Sequence, residues 1–276
     1  MQSNNFQYLS FTIHYRVTGR GVPLVLLHGF GEDGTVWDEQ VAYLAGKAMV
    51  IVPDLPGSGA SILKKENFTE ENKGLLNKIE FYADVVNGLL QHLKIETCIL
   101  LGHSMGGYIT LAFAEKYPTL VKGFGLIHST AYADNAERKE KRDKGIAMME
   151  EHGGYAFLKA STPNLFTTLF KQKYPERVFA LIERAKGFDT EALQCYYRAM
   201  RDRPDRVLVL KESKVPVLIV AGQEDIVVPL DDLLQQSHIA NTTYFHILEN
   251  AAHMGMWEAR EELNKAIGNF VEEIKL

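Results

Sequence analysis

The chain has 276 residues, enough for one large α/β domain or a domain carrying an inserted subdomain. Hydrophobic residues make up 46%, charged residues 24%, and the formal net charge is −5. No basic stripe speaks for nucleic acid, and no apolar stretch is long enough to span a bilayer. The two cysteines, Cys98 and Cys195, give no disulfide framework, and the N-terminus lacks a basic start followed by an apolar core, so a cytoplasmic protein is expected.

In chain order, two strand-like runs come first, Phe6–Leu9 and Phe11–Val17. Leu24–Leu27 is short and wholly apolar, as suits a strand buried on both faces of a parallel sheet, and it ends in "HGFG". Residues 35–44 have helical apolar spacing, and Met49–Val52 is a further strand, ending in "PDLPGSG". Lys64–Lys78 is polar and reads as an exposed loop or extension. Ile79–Leu93 has helix period, Cys98–Leu101 is a strand, and Met105–Lys116 a helix closed by "YP". Residues 121–129 read as another strand.

The texture changes from Ala131 to about Asp205, where strand-like runs are absent and several helices are expected. The strand–loop pattern returns at "VPVLIVAGQED", a last strand lies at 242–248, and Arg260–Ile274 is an amphipathic closing helix. Strands alternating with helices predict an α/β fold, a mostly parallel sheet of about eight strands covered on both faces. Residues 1–130 and 206–276 would form its core, and 131–205 a helical lid inserted between two strands.

Gly102-His103-Ser104-Met105-Gly106 matches Gly-x-Ser-x-Gly, with Gly107 extending it. A strand before it and a helix after it make the setting of a nucleophile elbow, a strained turn that exposes the serine hydroxyl above the sheet. The helix N-terminus offers free N–H groups and a positive dipole end for a developing oxyanion. A serine hydroxyl needs a base, and the base needs an orienting carboxylate. Asp225 follows the strand that ends in "AGQED", and His253 follows the strand at 242–248, in the order expected of this fold. Glu224, Asp231 and Asp232 compete for the acid, but Asp225 has the better register after the glycine.

These motifs, "HGFG" (28–31), "DLPGSG" (54–59), "GHSMGG" (102–107), "AGQED" (221–225) and "AAHMG" (251–255), resemble those of the α/β-hydrolase family over nearly the whole chain, and within it the small capped carboxylesterases and lactonases. The resemblance implies Ser104 as nucleophile, Asp225 as acid, His253 as base, and an oxyanion hole from the backbone N–H groups of Phe30 and Met105. It implies no cofactor and no metal, and no metal-ligand spacing is present. His28, His103, His128 and Met254 are the candidates for the pocket wall. His28 would also fix its loop by hydrogen bonds, and His103 would pack beside the elbow. Asp54 in "PDLPG" reads as turn chemistry.

The function expected is cleavage of a carboxylic ester or lactone of a small to medium acyl compound through an acyl-enzyme on Ser104, by a monomer or homodimer. The rivals are a serine-dependent carbon–carbon hydrolase or lyase of this fold, and a receptor-like binding protein that keeps the triad. The carbon–carbon hydrolases usually carry Asn where His103 stands, and the menaquinone-pathway lyase carries Arg where Tyr108 stands. Ser104 itself argues against the epoxide hydrolases and haloalkane dehalogenases of the family, which use an aspartate there.

Overall fold

The computed structural model describes residues 2–275. Eight strands form one sheet: β1 (Gln2–Tyr8), β2 (Phe11–Thr18), β3 (Pro23–Leu27), β4 (Met49–Pro53), β5 (Cys98–His103), β6 (Val121–Ile127), β7 (Val217–Gly222) and β8 (Thr243–Leu248). Their spatial order is β1-β2-β4-β3-β5-β6-β7-β8. β2 pairs antiparallel with both β1 and β4, and every pair from β4 to β8 is parallel. The order reverses about β3, so the loops after β3 and β5 open side by side at the carboxyl edge. Ligand crevices of open α/β sheets form at such a place.

Successive side chains of a strand face opposite sides. Leu24 and Leu26 of β3 accordingly belong to one apolar core, and Val25 and Leu27 to the other. One core packs β5 and β6 under α3 (Ile79–His92) and α4 (Met105–Lys116). The second core holds the opposite face under α1 (Asp38–Leu44) and the closing helix Arg260–Lys275. All four residues Leu24–Leu27 are fully buried, which is why this strand reads as a continuous apolar run.

The stretch Lys64–Lys78, expected to be a loop, instead contains α2 (Glu70–Leu76), capped by Thr69, whose hydroxyl oxygen accepts from Asn72 N at 3.2 Å. Only Leu76 of that helix is buried, so no apolar period marked it. Between β6 and β7 the chain forms no strand. It makes α5 (Ala136–His152), α6 (Gly154–Ser161), α7 (Thr168–Lys173), α8 (Pro175–Arg184), α9 (Thr190–Asp202) and α10 (Val207–Lys211). Arg206 N donates to Ala131 O at 2.8 Å, joining the two ends of the segment. The Arg206 guanidinium pairs with Glu115 of α4 at 2.9 Å and with Glu80 of α3, so α10 is fixed to the core helices. Two further helices, α11 (Leu230–Gln236) and α12 (Gly255–Glu258), follow β7 and β8, and the closing helix is α13 (Arg260–Lys275). Among the described residues no helix is long and apolar enough to cross a membrane.

Candidate active site

Ser104 stands between β5 and α4 with φ 50° and ψ −114°, a left-handed backbone that costs a residue other than glycine about 1–3 kcal/mol. Three contacts hold it there. Ser104 N donates to Ile127 O at 2.9 Å, and Ser104 O accepts from Gly107 N at 2.9 Å and from Ser129 Oγ at 2.7 Å. The glycines around it follow from space. A Cβ on Gly102 would strike the Gly106 backbone, one on Gly106 the Leu27 carbonyl, and one on Gly107 the Ser129 side chain. The Ser104 hydroxyl hydrogen-bonds no described residue and opens onto a cavity of about 220 Å³.

Asp225 and His253 meet at the same edge. Gln223 N donates to Leu248 O and Glu224 N to Ala251 O, both at 3.0 Å, which ties the loop after β7 to the loop after β8. Asp225 Oδ1 accepts from Val227 N at 2.8 Å and Val228 N at 3.0 Å, while Oδ2 takes the His253 Nδ1–H at 2.8 Å. With Nδ1 donating, Nε2 of a neutral imidazole carries the lone pair. That nitrogen bonds no described residue, and His253 lines the cavity with Ser104. Burial would raise the Asp225 carboxyl, but His253 and His128 outweigh it and hold it well below its ordinary value. Of the competing acids, Glu224 and Asp231 are exposed, and Asp232 pairs with Arg138 at 3.3 Å.

The backbone N–H groups of Phe30 and Met105 are taken by no acceptor among the described residues, and Phe30 lines the cavity. None of the four pocket-wall candidates lines it. His28 is fully buried behind the loop; its Nε2 accepts from Leu55 N at 3.0 Å and its Nδ1 contacts Gly29 O at 2.8 Å. Met254 is enclosed in the second core. His128 lies behind Asp225 with Nδ1 3.3 Å from Oδ2, outside hydrogen-bonding geometry, and burial lowers its pKa to about 4. His103 is turned away by the backbone of the elbow and has both ring nitrogens engaged.

The His103 arrangement was not legible beforehand. Its Nδ1 faces Glu32 Oε2 at 3.0 Å and its Nε2 faces His253 O at 2.8 Å. A carboxylate and a carbonyl both accept, so both ring nitrogens must donate and His103 is an imidazolium. Burial opposes that charge, but Glu32 prevails, raising the His103 pKa, while His103 in turn lowers that of Glu32. Glu32 also accepts from Gly29 N at 2.8 Å. One buried acid therefore fixes the loop after β3, the strand carrying Ser104 and the carbonyl of His253. A second missed acid, Glu258, accepts from Thr167 N at 2.7 Å, Ala252 N at 3.0 Å and Met254 N at 3.2 Å. The one signal for Glu32 was its place directly after "HGFG". Asp54 makes the turn bonds expected of it, accepting from Gly34 N and Ala60 N, each at 2.8 Å.

Side-chain donor atoms of His128, Asp225 and His253 lie within 4.8 Å of one another, close enough to converge on a cation. Asp225 Oδ2 and His253 Nδ1 are already spent on each other, so the set fits a hydrogen-bonded relay better than a metal centre. A larger hollow of about 520 Å³, lined by Lys173, Arg177 and Trp257 among others, contains none of Ser104, Asp225 and His253.

A serine on a strained strand-to-helix turn and an acid–imidazole pair, both at the carboxyl edge of this sheet, are the arrangement found on the α/β-hydrolase fold. A family model of the alpha/beta hydrolase fold matches residues 22–145. The structure of a thermophilic esterase from Thermogutta terrifontis, with malate bound, superposes with a TM-score of 0.89 at 26% identity, over 99% of each chain. In sequence the protein is 26% identical over 266 residues to an (E)-2-((N-methylformamido)methylene)succinate hydrolase from Acinetobacter baylyi, covering 95% of this chain and 94% of that one. It is also 26% identical over 279 residues to a 2-hydroxy-6-oxo-6-phenylhexa-2,4-dienoate hydrolase from Comamonas testosteroni, covering 95% and 92%. The chain has the α/β-hydrolase fold.

Proposed function

We propose that this protein is a serine hydrolase that cleaves a carboxylic ester or lactone of a small acyl compound. One observation carries the reading: His253 gives Nδ1–H to Asp225 at 2.8 Å and keeps Nε2 free on the cavity that Ser104 opens into. His253 takes the Ser104 proton as the hydroxyl oxygen attacks the substrate carbonyl. The Phe30 and Met105 N–H groups receive the oxyanion, each such donor being worth about 3–4 kcal/mol. His253 then protonates the leaving alcohol, and water, activated by the same imidazole, releases the acid and restores Ser104. Asp225 keeps its charge throughout and steadies the imidazolium.

In this reading residues 131–205 are a lid. Arg142, Leu158, Leu165, Leu181, Tyr197 and Met200 form the roof of the cavity, while Phe30, Ser104 and His253 form its floor. A space of about 220 Å³ lies below the usual range for drug-sized ligands, which supports a small substrate. A second reading, hydrolysis of a carbon–carbon bond, is favoured by the Comamonas testosteroni relative, whose named substrate contains no ester. The test is a fluorophosphonate probe together with p-nitrophenyl acetate. Covalent labelling confined to Ser104 with ester turnover is the expected result. Labelling elsewhere sinks the nucleophile, and labelling of Ser104 without ester turnover transfers the support to the second reading.

A further inference from the structure

Above the cavity lies a vestibule of about 500 Å³ that shares Tyr108, Arg142, Tyr197 and Val227 with it. Its charged groups are paired with one exception. Arg138 pairs with Asp232 at 3.3 Å and Lys141 with Glu137 at 2.7 Å. Behind them two guanidiniums share one buried carboxylate: Asp134 meets Arg142 Nε at 3.1 Å and Arg203 Nη1 at 2.8 Å. Arg203 is enclosed, donating to Met200 O at 2.6 Å and Tyr132 O at 2.9 Å, its guanidinium 3.7 Å from the Tyr108 ring centre. Arg142 lies over Tyr197, 4.9 Å from the ring centre, and its Nη1 and Nη2 hydrogen-bond no carboxylate among the described residues. On the cavity side Glu32 is neutralised by His103. Two guanidiniums thus share one carboxylate, and Arg142, whose Nη groups have no carboxylate partner among the described residues, stands where vestibule and cavity meet.

We propose that the substrate carries an ionised carboxylate besides the bond that is cleaved, and that Arg142 binds it. The proposal takes the position of the reacting bond, over Ser104, from the ester-hydrolase reading. A guanidinium presents two parallel donors that match a carboxylate, and here one face of it is already fixed by Asp134 and Tyr197. The tie to Asp134 sets its orientation before the ligand arrives, and the Tyr197 ring excludes water from one side. A neutral acyl chain in the same place would leave the Nη groups without an acceptor as it displaced their water, which disfavours neutral substrates.

The experiment uses Ser104→Ala protein, so that nothing turns over, and titrates monomethyl succinate, monomethyl glutarate and monomethyl adipate against their neutral dimethyl esters by calorimetry. At least one half ester should bind ten-fold or more tighter than its diester. Arg142→Leu in the same background should bring that ratio close to one, and Arg142→Lys should restore part of it. Arg142→Gln, which still hydrogen-bonds Asp134, repeats the comparison should the leucine variant fail to fold. Equal affinity for half ester and diester, binding of none of the probes, or a ratio that survives loss of the guanidinium overturns the proposal. Turnover of p-nitrophenyl acetate by the wild type is read separately. A protein that binds half esters through Arg142 yet cleaves no ester loses the ester reading and keeps this one.

Discussion

Glu32–His103 and Asp225–His253 are the same chemical pair, placed side by side with their rings 4.9 Å apart. Both acids are buried and both imidazoles are bound through Nδ1. They differ in the other nitrogen. Nε2 of His103 is consumed by the carbonyl of His253, which fixes that ring as a cation and removes any basic site. Nε2 of His253 is left with its lone pair on the cavity. An acid and a histidine in contact therefore do not by themselves make a base; what decides is whether an acceptor waits on the far side of the ring. The first pair is a brace whose load includes the second.

The sharpest break between the pairs lies at the group that only one of them serves. Ser104→Ala should remove ester hydrolysis to background while the melting temperature stays close to wild type, because the hydroxyl makes no hydrogen bond within the described fold. Near-normal turnover would show that neither pair works through Ser104. Exchanging each acid for its amide comes next. Asp225→Asn should lower kcat by about 10⁴-fold, as loss of the orienting carboxylate does in a known triad. Glu32→Gln should lower kcat by about 10²-fold or less, the scale of a small misplacement. It should also cost stability on the order of 3–5 kcal/mol, since His103 would be left as a buried unpaired cation. Equal kinetic losses would erase the distinction between brace and base.

The pH dependence of stability separates the histidines a third way. His128 is held near pKa 4 in the fold against 6.5 for a free side chain. Between those values the unfolded chain binds the extra proton, so stability falls as pH drops through that window. The loss approaches about 3 kcal/mol at the acid end. His103 has the opposite sign: its folded pKa is raised, so its contribution is full at low pH and is lost as pH rises through the folded value. Urea unfolding of His128→Gln from pH 7 to 4 should show a flatter acid limb than wild type, and Glu32→Gln a steeper one. Parallel limbs in all three proteins would remove the assigned charge states. The smallest effect concerns the roof alone. Each methylene added to a short acyl chain should improve kcat/KM by about 0.8 kcal/mol until the cavity is full. Leu158→Ala and Leu181→Ala should move that limit to longer chains while leaving the pH profile in place. An unmoved limit would assign chain-length selection to the strand-end loops.

What the sequence made legible follows the range of the contacts involved. Ser104, Asp225 and His253 each stand just after a strand whose apolar run is self-evident, so their meeting edge follows from the topology. Glu32 is 71 positions from His103 and had no partner until β3 and β5 lay together. His28, His103, His128 and Met254 were drawn toward the pocket by adjacency along the chain, but a neighbour on a tight turn points the other way, and all four lie behind the wall. The helix Glu70–Leu76 was missed because it covers the core with one residue, so only its cap at Thr69 carried information. Arg142 sits on α5, most of which is exposed, and only the fold shows that its side chain reaches the cavity.

Glu258 draws together three backbone N–H groups, two from the His253 loop and one, Thr167, from the helical layer above it. A further bond, His253 N to Leu165 O at 3.0 Å, ties the same corner. If residues 131–205 lift to admit a substrate, this corner is the hinge pin: raising it would drag the base out of line with Ser104. An opening that spares this corner would lie at the far side, between α5 and the exposed Ile226–Val227 step after β7, beside the vestibule. Entry of a substrate and the His253–Asp225 contact would then lie on opposite sides of one small room, so that His253 could hold its place while the layer above it moved.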